Sequence, residues 1–391
     1  EDMPGEVEIE DLIPVEDIIV TYTNMGYINR RNAEEYKAQR RGGRGVSSAK
    51  RRDEDVAARI LSVSTHDNVL FLTNLGNMYK LKGYEIPDGS KQSRGVNIVN
   101  LLSLTEGEKI VAITETADFS ADKFFLCVTK NGIIKKVALD LFKNIRSRKP
   151  LRAIGVKEGD EIRAAFISEG KGTFFAASMN GRSVRFESGA IRKMGRTASG
   201  VRGMRLAEGD EIIGACEILS NEAYILTVSE NGYAKIVSAD KYPVKGRGAK
   251  GLINYRPDNE RGGVAAVSII DDAENTDILF ISTNGIVIRI YAADIPVKTG
   301  RAVKGVRVMR LNGEGVKVAG IALTDHDSGE TEQLSLTDED LADETDDETA
   351  DDIDIDTDTD TDTDTDTDTD TDTDTDTDTD TTEGDDGGAN E

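Results

Sequence analysis

Arginine, lysine and glycine are concentrated near residue 40 in a pattern that favours phosphate binding. The segment reads Gln39-Arg40-Arg41-Gly42-Gly43-Arg44-Gly45. Its cations can neutralise phosphate oxygens, and its glycines let the main chain approach a ligand closely. Few aromatic side chains lie among them, so stacking on the bases of a single strand is not favoured. The residues therefore point to the phosphate groups of a polyanion.

Similar basic clusters recur along the chain, each near a glycine that precedes Val or Leu. These glycines are Gly45, Gly95, Gly155, Gly200, Gly251 and Gly305. One cluster alone would favour a role in keeping a sheet edge soluble, but six in one register favour phosphate binding. Beyond the first segment, the predicted DNA contacts are Lys91, Arg94, Arg146, Arg148, Arg152, Arg192, Arg196, Lys245, Arg247, Lys250, Lys298, Arg301 and Lys304.

The elements that must position these clusters also repeat six times. In each unit an apolar run ends in Thr or Ser, and a turn glycine and a second short run follow. The turn glycines, which number units 1 to 6, are Gly26, Gly76, Gly132, Gly181, Gly232 and Gly285. Asn precedes four of them, and Asn-Gly favours a tight hairpin because both residues tolerate positive φ.

The turn glycines lie 49 to 56 residues apart, which leaves room for about four short strands in each unit. Such a unit cannot bury its apolar face alone, and a ring of units closes the sheet edges. We therefore predict an all-β, six-bladed, propeller-like ring. A linear β-solenoid is the alternative, although solenoid repeats are usually shorter.

Charge is segregated along the 391 residues, which carry a net charge of −26. All the basic residues lie within 18–320, which has a net charge of +14, whereas 331–391 hold 29 acids and no base. This division indicates a polyanionic partner for the body of the chain. No apolar run approaches the roughly 18–20 residues that span a bilayer, and the first residues lack a signal-peptide pattern. We therefore expect no membrane association.

Residue types that carry out catalysis or bind metals are scarce. Cys127 and Cys216 lie inside apolar, strand-like runs and are predicted to be core side chains. His66 and His326 are isolated, so neither a histidine metal site nor a Ser-His triad is predicted. A propeller-type hydrolase is disfavoured because no His/Asp or paired-carboxylate constellation recurs towards a common centre.

The Gln39–Gly45 segment closely resembles the heptad box in the C-terminal domain of the DNA gyrase A protein, written Gln-Arg-Arg-Gly-Gly-Lys-Gly. Arg44 replaces the usual lysine and keeps the charge. Ile9-Glu10-Asp11-Leu12-Ile13 resembles the linker before that domain. The resemblance covers about residues 8–322. It implies a six-bladed β-pinwheel with exchanged strands at 18–322, between an acidic linker at 1–17 and a disordered acidic tail at 323–391.

The resemblance also implies a function. The domain would wrap duplex DNA with positive handedness and give a type IIA topoisomerase its ATP-dependent negative supercoiling. Topoisomerase IV subunits share the pinwheel but generally lack an intact box. The family's catalytic tyrosine lies upstream, and ATP and magnesium bind the partner gyrase B protein, so this chain is expected to hold no catalytic residue or cofactor. An acidic protein is the alternative partner for the basic loops.

The implied partners are double-stranded DNA, the gyrase B protein and a second copy of the gyrase A protein in an A2B2 holoenzyme. The isolated domain is expected to be a monomer, and the location to be cytoplasmic and nucleoid-associated.

Twelve Thr-Asp pairs occupy 357–380. A segment with so little apolar surface is predicted to be disordered. It could solvate the protein, or it could compete with DNA for the basic body to which it is tethered. A divalent-cation site is a weaker alternative because no loop geometry organises the ligands. Adaptation to extreme salt is disfavoured by the basic body.

Overall fold

Each unit begins with a hairpin, and in units 1 to 5 a hydroxyl group and a glycine fix its turn. The computed structural model describes residues 9–23, 25–32, 57–89, 93–145, 149–284, 286–311, 313 and 315–326. In the turn of unit 3, Gly132 N donates a hydrogen bond to Thr129 O at 3.0 Å, and Gly132 has a φ of 81°. Ile133 N donates to the Thr129 hydroxyl at 3.2 Å. The same hydroxyl contact to the amide four residues later is made by Thr23, Thr73, Ser178, Ser229 and Ser282.

The predicted hairpins are therefore present, and in units 1 to 5 the loop has three residues and ends in glycine, whereas four residues separate the strands in unit 6. The first strands are β1 (Asp17–Thr23), β4 (Asn68–Thr73), β8 (Phe124–Thr129), β12 (Thr173–Ser178), β16 (Tyr224–Ser229) and β20 (Thr276–Ser282). The second strands are β2 (Tyr27–Asn32), β5 (Asn77–Lys82), β9 (Ile133–Ala138), β13 (Arg182–Glu187), β17 (Tyr233–Ser238) and β21 (Val287–Tyr291).

An inner strand from the same unit pairs with the first strand of each hairpin. The inner strands are β3 (Ala57–Ser64), β7 (Ile110–Thr116), β11 (Ile162–Ser168), β15 (Ile212–Ile218), β19 (Val264–Ile270) and β24 (Val318–Asp325). They contact one another from blade to blade and so line the axis of the ring. Strand β24 lies beside β3, so blade 6 meets blade 1 and the ring is closed.

The outer strand of a blade comes from the following unit. The short outer strands are β6 (Val96–Asn97), β10 (Leu151–Arg152), β14 (Val201–Arg202), β18 (Leu252–Ile253), β22 (Val297–Lys298) and β23 (Val306–Arg307). For example, β14 of unit 4 pairs with β9 of unit 3, which places Val201 opposite Ile134. The exchange implied by the resemblance is thus present. Blade 5 receives both β22 and β23, and the described part of blade 6 contains β21, β20 and β24.

Helical structure within the described ranges is limited to short 3-10 turns. These are η1 (Ile9–Leu12), η2 (Gly83–Glu85), η3 (Ile98–Asn100), η4 (Leu139–Phe142), η5 (Ser188–Ala190), η6 (Ala239–Lys241), η7 (Ala273–Asn275) and η8 (Ala292–Asp294). The fold is therefore an all-β, six-bladed propeller, as predicted.

Main-chain hydrogen bonds join successive blades near the hairpin turns. The amide at the start of an inner strand donates to the carbonyl just after the first strand of an earlier hairpin. Ile212 N donates to Lys130 O at 2.8 Å, and Val318 N donates to Glu230 O at 2.8 Å. Ile162–Asn74 and Val264–Met179 form the same contact. Each blade is therefore joined to its neighbour by polar main chain as well as by apolar side chains.

Apolar side chains fill the spaces between blades because strand residues alternate between the two faces of a sheet. On β8, Phe125 and Cys127 pack against blade 2, whereas Leu126 and Val128 pack against blade 4. A strand that is covered on both faces must be apolar throughout, which explains the unbroken runs in the sequence. Cys127 is buried as predicted, and Cys216 is partly buried against the core between blades 4 and 5.

An open pocket lies where blades 6 and 1 meet. Its volume is about 230 Å³, and its walls include Tyr22, Arg59, Ile113, Ile281 and Ile321. These residues come from the hairpins and inner strands of units 6, 1 and 2. The pocket marks the place where the first and last units of the chain meet.

The segment before the first strand lies on blade 2. Glu10 in η1 forms an ion pair with Lys82 at 2.8 Å, and this contact lowers the pKa of the Glu10 carboxyl. His66 Nε2 lies 3.0 Å from the carbonyl oxygen of Ile13. Strand β1 begins at Asp17 and β24 ends at Asp325, close to the predicted limits of 18 and 322.

The chain divides into two units, of which the first is Glu1–Asp352. All described residues belong to the first unit. The predicted acidic tail, apart from residues 323–326, lies outside the described residues.

Candidate nucleic-acid interface

Five rim loops carry the predicted basic clusters of units 2 to 6. Their described residues are 88–89, 93–95, 143–145, 149–150, 193–200, 245–251 and 298–305. In unit 4, the loop begins alongside β9, where Met194 N donates to Lys136 O at 2.9 Å. It then turns back and pairs antiparallel to the same strand through Val201 and Arg202. A rim loop thus follows the outer edge of the preceding blade.

The register of the outer strands corrects one prediction. Leu151 lies opposite Met78, just as Val201 lies opposite Ile134, and both partners are two residues after a turn glycine. Pro150, rather than the predicted Gly155, therefore corresponds to Gly200. The repeat was misaligned because proline replaces glycine in unit 3, while Gly155 also precedes a valine.

With this register, a basic residue stands four positions before the Gly or Pro of every unit. These residues are Arg41, Lys91, Arg146, Arg196, Arg247 and Arg301. A second base stands one position before it in five units, as Arg44, Arg94, Lys149, Lys250 and Lys304. The spacing of the basic residues is therefore more regular than in the predicted register, which used Gly155 for unit 3.

The glycines in this register allow strands to pack closely. A Cβ atom on Gly95 would lie 2.4 Å from the carbonyl oxygen of Ile28, and one on Gly305 would lie 2.4 Å from that of Ala234. Gly95 also has φ of 87°. These glycines therefore let the outer strand approach the blade, a role that the predicted approach to phosphate did not include.

The structure describes ten of the predicted DNA-binding residues. Six of these residues are exposed, namely Arg94, Arg152, Arg192, Lys245, Lys250 and Lys304. Four are partly buried, namely Arg196, Arg247, Lys298 and Arg301. The other ten predicted residues lie outside the described residues. They are Gln39, Arg40, Arg41, Gly42, Gly43, Arg44, Gly45, Lys91, Arg146 and Arg148. The ten described residues occur on the outer edges of blades 1 to 5.

Several rim arginines also bind the main chain. Arg152 Nη1 donates to Leu75 O at 2.7 Å, and Arg301 Nη1 lies 3.3 Å from Ile253 O. Arg94 stacks over Tyr27, with its guanidinium carbon 4.1 Å from the ring centroid. Because a guanidinium carries five N–H donors, one such contact can orient the group and leave donors for phosphate.

Two buried lysines donate hydrogen bonds to main-chain carbonyls of the rim loops. Lys135 Nζ donates to Ala153 O at 3.0 Å and to Arg196 O at 2.5 Å. Lys235 Nζ makes the corresponding hydrogen bonds to the carbonyls of Asn254 and Arg301. Sequence analysis missed both lysines because each lies in a mainly apolar strand, away from the basic clusters.

The outer strands add arginines that sequence analysis also missed. Arg202 and Arg307 share the register of Arg152, and each is the last residue of its outer strand. A further base follows three residues after this position in units 4, 5 and 6, as Arg205, Arg256 and Arg310. The repeated Val-Arg-x-Met-Arg of units 4 and 6 was the available signal.

Not all of these arginines face a purely basic surface. Arg307 lies 3.4 Å from the Glu260 carboxylate and also bonds to the Tyr233 hydroxyl. Arg202 is exposed, and its carbonyl oxygen accepts a hydrogen bond from Arg247 at 2.6 Å. The rim around blades 3 and 4 is therefore the stronger candidate for phosphate contact.

Other chemical sites are not prominent in the part of the chain that the structure describes. There, no group of three or more His, Cys, Asp or Glu side chains is arranged to hold a metal ion. His326 pairs with the buried Asp277 at 2.8 Å, which indicates a structural role. No helix in the described ranges is long and apolar enough to cross a membrane.

Comparison with protein families gives six matches to one model, described as "DNA gyrase C-terminal domain, beta-propeller". The matches cover residues 17–64, 67–116, 123–169, 173–215, 223–271 and 276–325. The chain is 37% identical over 340 residues to the DNA gyrase A protein of Mycolicibacterium smegmatis, covering 86% of this chain and 40% of that protein. It is 37% identical over 327 residues to the corresponding protein from Staphylococcus aureus, covering 83% and 36%.

Two solved structures share the fold. The C-terminal domain of DNA topoisomerase IV gives a TM-score of 0.67 at 26% identity, covering 80% of this chain and 94% of that chain. The DNA gyrase A C-terminal domain gives 0.64 at 29% identity, covering 79% and 99%. This chain spans about two-fifths of the length of the curated relatives it matches.

Proposed function

Because the chain belongs to the family of DNA gyrase C-terminal β-propeller domains, we propose that it binds duplex DNA along its rim and wraps it with positive handedness. The observation that carries this proposal is the repetition of basic residues at one register on successive blades. Arg152 and Arg202 occupy equivalent positions on neighbouring outer strands. A ring carries this register around its circumference, so the bases follow a curved path.

A curved row of cations suits duplex DNA because phosphate contacts require no particular sequence. Each phosphate that is neutralised releases counterions, and the summed gain offsets a bending energy of a few kcal/mol. Binding should therefore weaken steeply with salt and vary little with base sequence. The net charge of +14 in residues 18–320 supports this mode.

Within a larger protein, this wrap would present one DNA segment to the strand-passage site and so set the direction of supercoiling. The proposed assembly is an A2B2 gyrase in which the two B proteins bind ATP and magnesium. The contribution of this chain would be to bind and bend DNA, in the cytoplasm and at the nucleoid.

The acidic tail is proposed to regulate the wrap. Its 29 acids in residues 331–391 are tethered to a basic body, so they compete with DNA at a high effective concentration. Removal of 331–391 should increase DNA affinity at low salt. Unchanged affinity would leave the tail with a solvating role only.

Ligation of nicked circular DNA in the presence of the chain tests both parts of this proposal. Positive writhe trapped with and without residues 331–391 would support wrapping and contradict regulation by the tail. Positive writhe trapped only without the tail would support both wrapping and regulation by the tail. No trapped writhe at low salt in either case would reject wrapping and favour an acidic protein partner.

A further inference from the structure

Lys135 and Lys235 are buried at equivalent positions in blades 3 and 5. Lys135 is 0% exposed and Lys235 is 1% exposed. Burial removes the hydration of an ammonium group, a loss that an apolar side chain avoids. Val184 and Ile288 hold the corresponding positions, three residues after the turn glycine, in units 4 and 6. The fold therefore accepts apolar side chains here, and core packing does not explain the lysines.

Each lysine connects main chain from two successive units. Ala153 and Asn254 closely follow the outer strands that units 3 and 5 send to the preceding blades. Arg196 and Arg301 belong to the rim loops of units 4 and 6. The lysine in a blade thus joins the end of one exchanged strand to the rim loop that lies on its own blade.

We propose that Lys135 and Lys235 are positioning residues that hold the rim loops of units 4 and 6 in the conformation that contacts DNA. This inference rests on the proposed function. A hydrogen bond to the carbonyl of Arg196 or Arg301 fixes the peptide plane, and with it the direction in which the arginine side chain leaves the main chain. The lysine therefore acts on DNA through the arginine.

The hydrogen bonds do not require a charged lysine. Burial lowers the pKa of Lys235 to about 7, and a neutral amine keeps two N–H donors for its two carbonyl partners. The centroid of the Tyr255 ring lies 5.9 Å from Nζ, and the nearby charge of Arg301 also lowers the pKa of Lys235. Methionine has a similar length and would remove both hydrogen bonds without leaving a large cavity.

Lys136 supplies a matched control because it follows Lys135 on the same strand and faces the opposite side. It is 6% exposed, and its Nζ donates to Ser188 O in η5 at 3.3 Å. Its Nζ also lies 4.2 Å from the Phe124 ring centroid. Replacing Lys136 by methionine removes a buried lysine side chain of the same unit and keeps the Lys136 carbonyl, which accepts the hydrogen bond from Met194 N of the rim loop.

The test measures duplex affinity over a salt series for the full chain and for K135M, K235M and K136M. We expect K135M and K235M to bind roughly three- to tenfold more weakly at moderate salt, and the slope of log K against log salt to fall by about one. A loss of stability alone lowers the active fraction and leaves the slope unchanged. K136M should keep both the affinity and the slope of the wild type.

A double-mutant cycle tests whether Lys235 acts through Arg301. If it does, K235M should change affinity by less than about twofold in the R301A background. If the affinity losses caused by K235M and R301A multiply fully in the double variant, the two residues act independently and the proposal is overturned. So would a wild-type salt slope in both single lysine variants.

Amide hydrogen exchange without DNA supplies a readout that does not depend on the proposed function. Amides in 298–305 should exchange faster in K235M, and those in 193–200 should exchange faster in K135M. Unchanged exchange would overturn the inference. Absence of DNA binding by the wild-type chain would instead reject the proposed function, while the exchange data would still decide whether the lysines hold the loops.

Discussion

Arg247 Nη1 donates a hydrogen bond to the main-chain carbonyl of Arg202 at a distance of 2.6 Å. A rim-loop base of unit 5 is thereby joined to the outer-strand base of unit 4. Gly248 N donates to Gly203 O at 2.9 Å, and Arg205 N donates to Ala249 O at 2.9 Å. Hydrogen bonds to the main chain therefore join the basic segments of units 4 and 5 along the rim.

Removal of the Arg202 side chain should weaken DNA binding without destabilising the ring. R202A leaves the carbonyl that Arg247 binds and removes one exposed guanidinium. We expect affinity to fall and the salt slope to decrease by about one, whatever the base sequence. A filter-binding or anisotropy titration over a salt series measures both quantities.

Lys171 is the control for this substitution. It is an exposed base in the loop between β11 and β12, and it pairs with Glu169 at 2.8 Å. K171A removes the same charge away from the rim and should leave the salt slope unchanged. Equal effects of the two substitutions would show that net charge alone, and not the rim, determines binding.

Alanine at Gly181 should destabilise the fold far more than alanine at Gly159. Both glycines have positive φ, 80° and 77°, which an L-residue adopts at a penalty of about 1–2 kcal/mol. A Cβ on Gly181 would lie 2.0 Å from the Tyr255 carbonyl oxygen, whereas one on Gly159 meets nothing within 4 Å. We expect G159A to lose about 1 kcal/mol and G181A to lose about 3 kcal/mol or more.

Urea denaturation followed by circular dichroism compares these two variants directly. Similar midpoints would mean that the turn of unit 4 relaxes away from Tyr255. The hairpin would then be less tightly held against its neighbour than the structure indicates.

The stability of the protein should rise with pH just above neutrality because of Lys235. Burial lowers the pKa of this side chain from its ordinary 10.5 to about 7. Between pH 7 and about 8.5 the unfolded chain keeps this proton while the folded chain loses it, so the unfolded state binds more protons. Stability should then rise by up to about 1.4 kcal/mol per pH unit.

K235M removes this contribution, so the difference in stability between wild type and variant should change with pH in that window. Urea midpoints at pH 7.0, 7.75 and 8.5 measure it. Titration of Cys127 and Cys216 in the unfolded chain gives the opposite slope, but both proteins contain these thiols, so it cancels in the difference. A constant difference would show that Lys235 titrates near its ordinary pKa.

Both cysteines should resist thiol reagents in the folded protein. Burial raises the pKa of Cys127 and of Cys216 to about 12, and the thiolate is the reactive form. A disulfide reagent at pH 8 should therefore label neither thiol in buffer and both in urea. Rapid labelling of the native protein would indicate local opening of the blades that hold them.

Much of the architecture follows from local sequence rules. The Thr or Ser before each turn accepts a hydrogen bond from the amide four residues later, and in units 1 to 5 the glycine supplies a positive φ. The six hairpins could therefore be located from residue types alone. The alternation of β8 towards two neighbouring blades likewise explains its apolar run. These features depend on residues close together in the chain.

The exchange of outer strands and the exact register of the rim depend on distant contacts. Pro150 replaces a glycine that the other units keep, and only the pairing of the next residue, Leu151, with Met78 reveals the equivalence. Lys135 and Lys235 contact carbonyls 18 to 66 residues away, which no local pattern indicates. The ten described DNA-binding candidates lie on blade edges as the repeats indicated, and their contacts with DNA stay a prediction.

The strand exchange has a consequence for synthesis on the ribosome. Blade 3 cannot be completed until β14 has emerged, about 60 residues after β9, and the same delay recurs for each earlier blade. The nascent chain therefore always exposes the outer edge of its most recent blade, where unpaired main-chain groups can bind another strand. Translation pauses within a rim loop would prolong that exposure, whereas pauses after an outer strand would let the preceding blade close first.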